Sequence, residues 1–359
     1  MRRSRALTAA TVVATAGVLA VGPAAAAPTP SRPIAQHLAG PLQIDVAKRG
    51  VYISESFAGL LTRVDRHGNV THPATNQTGI SGAAVRHGRV AFATTGGSQA
   101  KPLTQLKLLT RSGKVRVIAN LGRFEKRHNP DSGRSYGFHD LSKSCRQKVA
   151  SQFPEDPGHG RTYHGVVDSH PYAVANAPGG GWYVAEAAGN DILRVSPEGK
   201  IHVVYLAKHQ PHVVTGKQAK AAGLPGCVAG HSYAFEPVPT DVEVTRGGRL
   251  VVSQLPGGPE GPALGARGSV VKVNPRKGTG HKIGSGFAGA TNVAVGPHGE
   301  VYVTQLFGNR ISVIRPNGSV HKVVDVNAPA ALAWGRGKLF AAVGVFNQKQ
   351  GGRVVTIRP

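Results

Sequence analysis

A short strand pattern recurs six times along this 359-residue chain. Each copy has an apolar strand, a turn that contains Gly, and a second apolar strand that in most copies ends at a polar residue. The clearest copy reads TNVAVGPHGEVYVTQ, and the six copies are Leu42–Glu55, Ser81–Thr94, Tyr172–Glu186, Thr240–Gln254, Thr291–Gln305 and Ala331–Val343. A strand repeat of roughly 40 residues without helical periodicity is typical of a β-propeller, in which each repeat forms a four-stranded blade.

The spacing of the repeats predicts an all-β, six-bladed propeller. Measured between the last apolar residues of the first strands, the steps are 39, 90, 69, 51 and 39 residues. The shortest steps match one blade, so the longer ones carry insertions, which we place at about residues 126–166 and 208–236. A seventh blade in the longest gap is the alternative, but residues 126–166 contain no second copy of the repeat.

The last repeat is one strand short of a complete blade. Only three strands follow from Ala331 to the last residue, whereas Pro33–Leu38 belongs to no repeat. We predict that Pro33–Leu38 pairs outside Arg353–Pro359 and closes the ring, because an unpaired outer edge would otherwise remain.

The first 26 residues have the pattern of a signal peptide. Three early arginines precede the apolar run Ala6–Val21, and Ala24-Ala25-Ala26 fits a cleavage site. A transmembrane anchor is the alternative, but the run of about 16 residues is shorter than the ~20 that a span needs. We therefore predict a secreted protein whose residues 27–359 form one propeller domain without a membrane span.

The two cysteines, Cys145 and Cys227, both lie in the predicted insertions. An exported protein enters an oxidising compartment, so we predict a disulfide between them. Two free or metal-bound thiols are the alternative, although neither cysteine has the close partner that zinc sites usually show.

The chain is strongly basic, with a formal net charge of +25. This charge predicts weak, salt-sensitive attraction to polyanions. The basic residues are spread over every repeat, without a compact basic run, a recognition helix or a stripe of aromatic residues. The sequence therefore argues against specific binding of nucleic acid.

Three stretches of the chain resemble a known family. Val166–Ile201, His231–Pro275 and Gly286–Val320 are similar to the ScyD/ScyE family of secreted NHL-type propellers, which is named for scytonemin biosynthesis clusters. The resemblance covers about residues 37–359, and the paired loop cysteines fit it too. It implies export and a six-bladed fold of the NHL/TolB-like class, but it does not supply a reaction.

The repeat places one residue per blade at the end of the second strand, where loops converge on the central channel. These residues are Glu55, Thr94, Glu186, Gln254, Gln305 and Val343. Their polar side chains could form a ligand-binding ring at the channel mouth. Alternatively, each could satisfy backbone groups of its own loop.

Acidic and amide side chains on the first strands suggest a metal site. Asp241, Glu243 and Asn292 should lie on adjacent blades, and their oxygens suit Ca²⁺. The alternative is that Asp241 and Thr240 fix the entry of their strand. The chain otherwise shows no need for a cofactor.

His170 lies two residues before the third repeat, in the sequence His-Pro-Tyr that opens its blade, close to the channel. It pairs best with Glu186 as a candidate catalytic base and acid. A hydrogen-bonded histidine at a strand end is the alternative. The Gly-rich segment Leu255–Ser269 joins strands rather than a strand and a helix, so it lacks the helix N-terminus that holds phosphate. It looks like a rim loop in which Arg267, as its exposed cation, could contact a ligand.

These features together predict a secreted, monomeric binding or scaffold protein of the cell envelope or extracellular space. Its partner would be an unknown small molecule or envelope component, bound at the channel mouth or on the loops of the two insertions. The alternative is a propeller hydrolase or lyase that acts on a small anionic metabolite, with or without a metal ion. Whether the protein is an enzyme stays open.

Overall fold

The computed structural model describes residues 29–97, 103–153, 161–258 and 264–359. Within these ranges the chain forms seven antiparallel sheets of four strands each. In five of them the strands follow one another in chain order, and a sixth takes its fourth strand from the N-terminal end. The seventh combines strands from two separate segments.

Six sheets, named I to VI, correspond to the six sequence repeats. Sheet I contains Pro41–Ala47, Gly50–Glu55, Leu60–Val64 and Val70–Ala74. Sheet II contains Ile80–Arg86, Arg89–Thr94, Gln105–Leu109 and Val115–Asn120. Sheet III contains Pro171–Asn176, Trp182–Glu186, Asp191–Val195 and Ile201–Leu206. Sheet IV contains Pro239–Val244, Leu250–Gln254, Gly268–Asn274 and Thr279–Phe287. Sheet V contains Val293–Val295, Val301–Gln305, Arg310–Ile314 and Val320–Asp325. Sheet VI contains Ala331–Gly335, Lys338–Val343, Gly352–Ile357 and Ala35–Leu38.

The first strands of these six sheets contact one another in the order I, II, III, IV, V, VI and back to I. Apolar side chains fill the spaces between neighbouring sheets, as Ile192 and Val252 do between sheets III and IV. One sheet cannot bury both of its apolar faces alone, so each packs against two others. The arrangement confirms the predicted β-propeller.

The outer edge of sheet VI is covered by the N-terminal strand. Ala35 lies opposite Val354 and Leu38 lies opposite Gly352 in an antiparallel pair. The Ile34 N–H donates to the Val354 carbonyl at 2.8 Å, which extends the pairing by one bond. The segment Pro33–Leu38 thus takes the position that its sequence predicts.

The alternating strands give the molecule two distinct faces. The connections between sheets and the loops from second to third strands lie at one end of the strands, and we call this side of the molecule the loop face. The turns between first and second strands, and between third and fourth strands, lie at the other end of the strands, and we call this side the turn face. Both insertions therefore stand on the loop face.

The insertions form a seventh, accessory sheet that the repeat pattern did not predict. Its strand order is Tyr163–His164, Ser135–Phe138, Ser232–Phe235 and Gln210–Val213. Two α-helices and a short 3-10 helix share its apolar cluster: α2 (Lys143–Gln152), α3 (Gly216–Ala221) and Gly226–Val228. The first helix, α1 (Leu121–His128), follows sheet II and packs with sheets II and III. Strands of two to four residues are too short to show a periodicity in the sequence.

The predicted disulfide is present. Cys145 of α2 is bonded to Cys227 of the 3-10 helix, with 5.9 Å between their Cα atoms. The bond joins the two insertions and closes an 82-residue separation. No helix among the described residues is long and apolar enough to cross a membrane. The predicted signal peptide, residues 1–26, lies outside the described ranges.

Candidate functional site

Three of the polar residues at the ends of the second strands, Glu55, Glu186 and Gln305, accept hydrogen bonds from backbone N–H groups just before the first strands of their sheets. Glu55 Oε2 accepts a hydrogen bond from the Ala39 N–H at 2.7 Å, and Gln305 Oε1 accepts one from the Ala288 N–H at 3.0 Å. In both sheets the donor lies shortly before the first strand. These contacts match the structural interpretation of the polar ring, and ligand binding by Glu55 or Gln305 stays a prediction.

The first-strand residues proposed as calcium ligands link neighbouring sheets instead. Asp241 Oδ2 accepts from the Val293 N–H at 2.9 Å, and Asn292 Oδ1 accepts from the Leu332 N–H at 2.7 Å. Asn292 Nδ2 also donates to Gln43 Oε1 at 2.8 Å. The amide group of Asn292 is therefore held by hydrogen bonds to its neighbours through both its oxygen and its nitrogen.

The carboxyl groups nearby are costly to ionise. Burial raises the pKa of Asp241 to about 7. Burial and the neighbouring carboxylates of Asp241 and Asp45 raise the pKa of Glu243 well above its usual range. No group of three His, Cys, Asp or Glu side chains within the described ranges could hold a metal ion. A Ca²⁺ site here stays a prediction without geometric support.

His170 and Glu186 lie side by side, but the contact between them is made by the backbone of His170 and not by its imidazole ring. Glu186 Oε1 accepts the backbone N–H of His170, and Glu186 Oε2 accepts from Ser169 Oγ at 3.0 Å. The His170 ring stacks on Tyr172, with 6.5 Å between centroids. The surrounding protein lowers the pKa of His170 by desolvation even though the residue is solvent-exposed, and Asp168 partly offsets this.

Glu186 belongs to a buried acidic cluster that sequence reasoning missed. The cluster consists of Glu125, Asp131, Glu186 and Asp191, each no more than 3% exposed. Burial raises the pKa of Glu125 and of Glu186 to about 8, and mutual repulsion adds to the effect. Asp131 Oδ2 accepts from Tyr136 Oη at 3.0 Å. Because Glu125 and Asp131 lie in the segment between sheets II and III, outside the repeats, no pattern in the repeat could reveal the cluster.

Two other predicted residues, Gln254 and Arg267, line one cavity of about 560 Å³. It lies on the loop face, between sheets III and IV and the accessory sheet. Its polar and charged lining consists of Lys208, His209, Gln210, His212, Gln254, Arg267, Lys282 and Ser285. Aspartate and glutamate are absent from the described lining, so the cavity is electropositive.

Arg267 is half-buried, which corrects the prediction that it is an exposed cation. Its guanidinium carbon lies 4.2 Å from the centroid of the Phe235 ring, and Nη2 donates to the Gly257 carbonyl at 3.1 Å. Burial lowers the pKa of Arg267 to about 10, so the side chain keeps its charge at neutral pH. Nε and Nη1 have no hydrogen-bond partner among the described residues.

Gln254 is 3% exposed and is oriented by its neighbours. Its Oε1 accepts from Ser269 Oγ at 3.2 Å and from Gln210 Nε2 at 3.3 Å. Its Nε2 is buried and unpaired in the described structure. A buried N–H group without a partner costs about 1–3 kcal/mol, and an anion in the cavity would remove that cost.

The cavity thus has the chemistry of an anion site. An arginine whose N–H groups are unpaired can hold a carboxylate or phosphate with two parallel hydrogen bonds. The exposed Lys208 and Lys282 add positive charge at the rim. Gln210 and His212 were not predicted, since they belong to an insertion with no recognisable pattern.

Comparison with solved structures shows the fold. The chain is similar to a protein from Thermus thermophilus assigned as a glucose dehydrogenase, with 15% identity and a TM-score of 0.55 over 92% of this chain and 99% of that one. It is also similar to a protein assigned as a gluconolactonase, with 14% identity and a TM-score of 0.54 over 91% and 90% of the two chains. A streptogramin B lyase aligns at 15% identity and a TM-score of 0.49 over 89% and 93%.

No family model matches the chain, and no curated protein sequence matches it significantly. The similarities to the two proteins with TM-scores of 0.55 and 0.54 show a β-propeller fold. At these identities they carry the fold and not an activity, so the function must be argued from this chain's own residues.

Proposed function

We propose that the protein is a secreted binding protein for a small anionic molecule, held in the cavity beside Arg267. Two observations carry this proposal. Arg267 and Gln254 both line a cavity whose described lining contains no carboxylate, and both have buried N–H groups without a described partner. The electropositive rim would raise the local concentration of an anion and would favour its entry.

We also propose the finer features of the molecule. Sheets I to VI would be six blades of one ring closed by Ala35–Leu38, which the circular order of contacts and the pairing with Gly352–Ile357 support. Residues 1–26 would direct export, as the disulfide and the basic and apolar pattern of that segment favour. The resemblance in sequence supports membership of the ScyD/ScyE family, and we expect a monomer.

Calorimetric titration with citrate and with inorganic phosphate tests the anion site. We expect the mature protein to bind at least one of them, and Arg267→Met to weaken that binding about 10- to 100-fold, since a charged hydrogen bond contributes about 1.5–3 kcal/mol. Methionine retains an apolar stem against Phe235 but removes the charge and the donors.

Arg276→Met is the matched control, because Arg276 is an exposed arginine on a turn of the same sheet IV. It should bind like the unaltered protein. Equal affinities of Arg267→Met and the unaltered protein, or no heat with either anion, would contradict the proposal.

The second candidate function is a hydrolase or lyase on the loop face. It is favoured by one observation: the exposed His170 lies beside Glu186, a carboxyl group whose pKa is raised to about 8 by burial. A group that titrates near neutral pH can transfer protons. Mass spectrometry of small anionic metabolites after incubation with the protein would reveal turnover, which His170→Ala should abolish. Because His170 does not line the Arg267 cavity, the variant should still bind an anion there.

A further inference from the structure

The turn face carries a second positively charged surface, across sheets I, II and III. Two cavities of about 620 and 340 Å³ share His87 and Arg111, so they form one groove. The cationic residues that line this basic groove are Lys48, Arg49, Arg86, Arg89, Arg111 and Arg116.

These cations come together because of the turns that carry them. The turns between first and second strands supply Lys48 and Arg49 in sheet I and extend to Arg89 in sheet II, and the third-to-fourth turn of sheet II supplies Arg111. Every such turn lies on the turn face, so adjacent sheets place their basic turns side by side. The groove is thus a product of the ring and not of a basic run in the sequence.

The arginines of the groove lack acidic partners. None of its six cations takes part in an ion pair within the described structure, and neither cavity is lined by Asp or Glu there. The carboxylates on neighbouring turns form hydrogen bonds within their own turns. Asp65 accepts from Asn69 Nδ2 at 2.8 Å, and the Glu198 side chain is hydrogen-bonded to Ser196. The positive charge therefore stays available.

Backbone carbonyls hold two of the guanidinium groups in place. Arg111 Nε donates to the His87 carbonyl at 2.6 Å, and Arg86 Nη1 donates to the Ala177 carbonyl at 3.0 Å. Both side chains keep further N–H groups that have no described protein partner. A fixed guanidinium loses less conformational entropy when it binds an oxyanion than a free one does.

We propose that the basic groove binds a linear polymer of phosphate groups that carries no aromatic bases. Arginine presents a planar pair of donors that fits phosphate, and two adjoining cavities can hold successive groups of one chain. Single-stranded nucleic acid would instead need a series of stacking aromatics. The aromatic rings that line the groove are those of Tyr52, which is buried, of Trp182, which is half-buried at the other end, and of the exposed His87. One exposed imidazole does not make the series of stacking rings that successive bases need.

Fluorescence anisotropy with end-labelled polyphosphate tests this surface separately from the Arg267 cavity. We expect the triple variant Arg89→Ala, Arg111→Ala, Arg116→Ala to bind about tenfold more weakly, because three exposed charge contacts are lost. The matched control removes three exposed cations from turns of sheet IV, Arg246→Ala, Arg249→Ala and Lys277→Ala, and so makes the same change in net charge. It should keep nearly the full affinity.

Equal losses of polyphosphate affinity in the two triple variants would overturn the proposal that the groove is the binding site, because net charge alone would then explain binding. Tighter binding of a single-stranded oligonucleotide than of polyphosphate would overturn the choice of a base-free ligand. Circular dichroism checks folding, and Arg116→Ala alone, at an exposed strand position, should show a smaller loss in the same direction. Arg267→Met should bind polyphosphate normally, so failure of one proposal leaves the other intact.

Discussion

Glu186 shows how one position of the repeat acquires different chemistry in a single sheet. In sheets I and V, the residue at this position meets a hydroxyl seven positions later: Thr62 donates to Glu55, and Gln305 donates to Ser312 Oγ at 2.8 Å. In sheet III the seventh position is the apolar Leu193. Glu186 therefore turns to Ser169 and is left among the other buried carboxyl groups.

The acidic cluster predicts that stability depends on pH. The pKa values of Glu125 and Glu186 rise from 4.5 to about 8 on folding, so the folded protein holds protons that the unfolded chain releases. The resulting stabilisation is fully present below about pH 4.5, declines as the pH rises, and is lost once the pH passes about 8. We expect the melting temperature to fall between pH 6 and pH 9.

Glu186→Gln should flatten that dependence, because glutamine imitates the protonated carboxyl group. Glu300→Gln, on a turn of sheet V, is the control and should keep the slope of the unaltered protein. Thermal melts followed by circular dichroism over this pH range measure both. A steeper fall in Glu186→Gln would contradict the assignment.

The accessory sheet is built from elements that could not stand alone. Its strands have two to four residues, and their packing depends on a shared apolar cluster that includes Phe138, Val149, Val228 and Tyr233. The two insertions supply opposite halves of that cluster, and the disulfide joins them. The anion cavity depends on the same elements, since Gln210 lies in one of these strands.

Removing the disulfide should therefore loosen the accessory sheet first. The chain-entropy model assigns about 4–5 kcal/mol to a bond that closes a loop of this length. In Cys145→Ser, Cys227→Ser we expect faster amide exchange in Ser135–Phe138 and Ser232–Phe235, while sheets V and VI stay protected. Hydrogen exchange with mass spectrometry resolves these segments. Uniformly faster exchange throughout the six propeller sheets would contradict a local role.

At the scale of the whole molecule, the N-terminal strand covers the outer edge of Gly352–Ile357. An uncovered strand edge offers unpaired N–H and C=O groups to other chains. A chain that begins at residue 40 should melt at a lower temperature and should self-associate through sheet VI. Scanning calorimetry and size-exclusion chromatography measure these changes.

A chain that begins at residue 31 serves as the control, because it keeps the hydrogen bond from the Ser31 N–H to Thr356 as well as the strand Ala35–Leu38. It should behave like a chain that begins at residue 27. If the chain that begins at residue 40 kept the melting temperature and the apparent size of the control, the strand would contribute nothing to stability.

The amino-acid sequence by itself determined the propeller, the position of the N-terminal strand and the disulfide. Strand alternation and turn residues are local properties of the sequence, so each repeat by itself predicts its own sheet. The cysteines could be paired because there were only two, and both lay outside the repeats.

Only the tertiary structure decided which polar groups share a site. Arg267 is half-buried because Phe235, from the second insertion, packs against its guanidinium group. Gln210 and Gln254 meet although 44 residues separate them. The acidic cluster and the basic groove likewise join segments that are distant in the chain. Burial and charge environment arise from such contacts, and a pattern with a period of a few residues does not encode them.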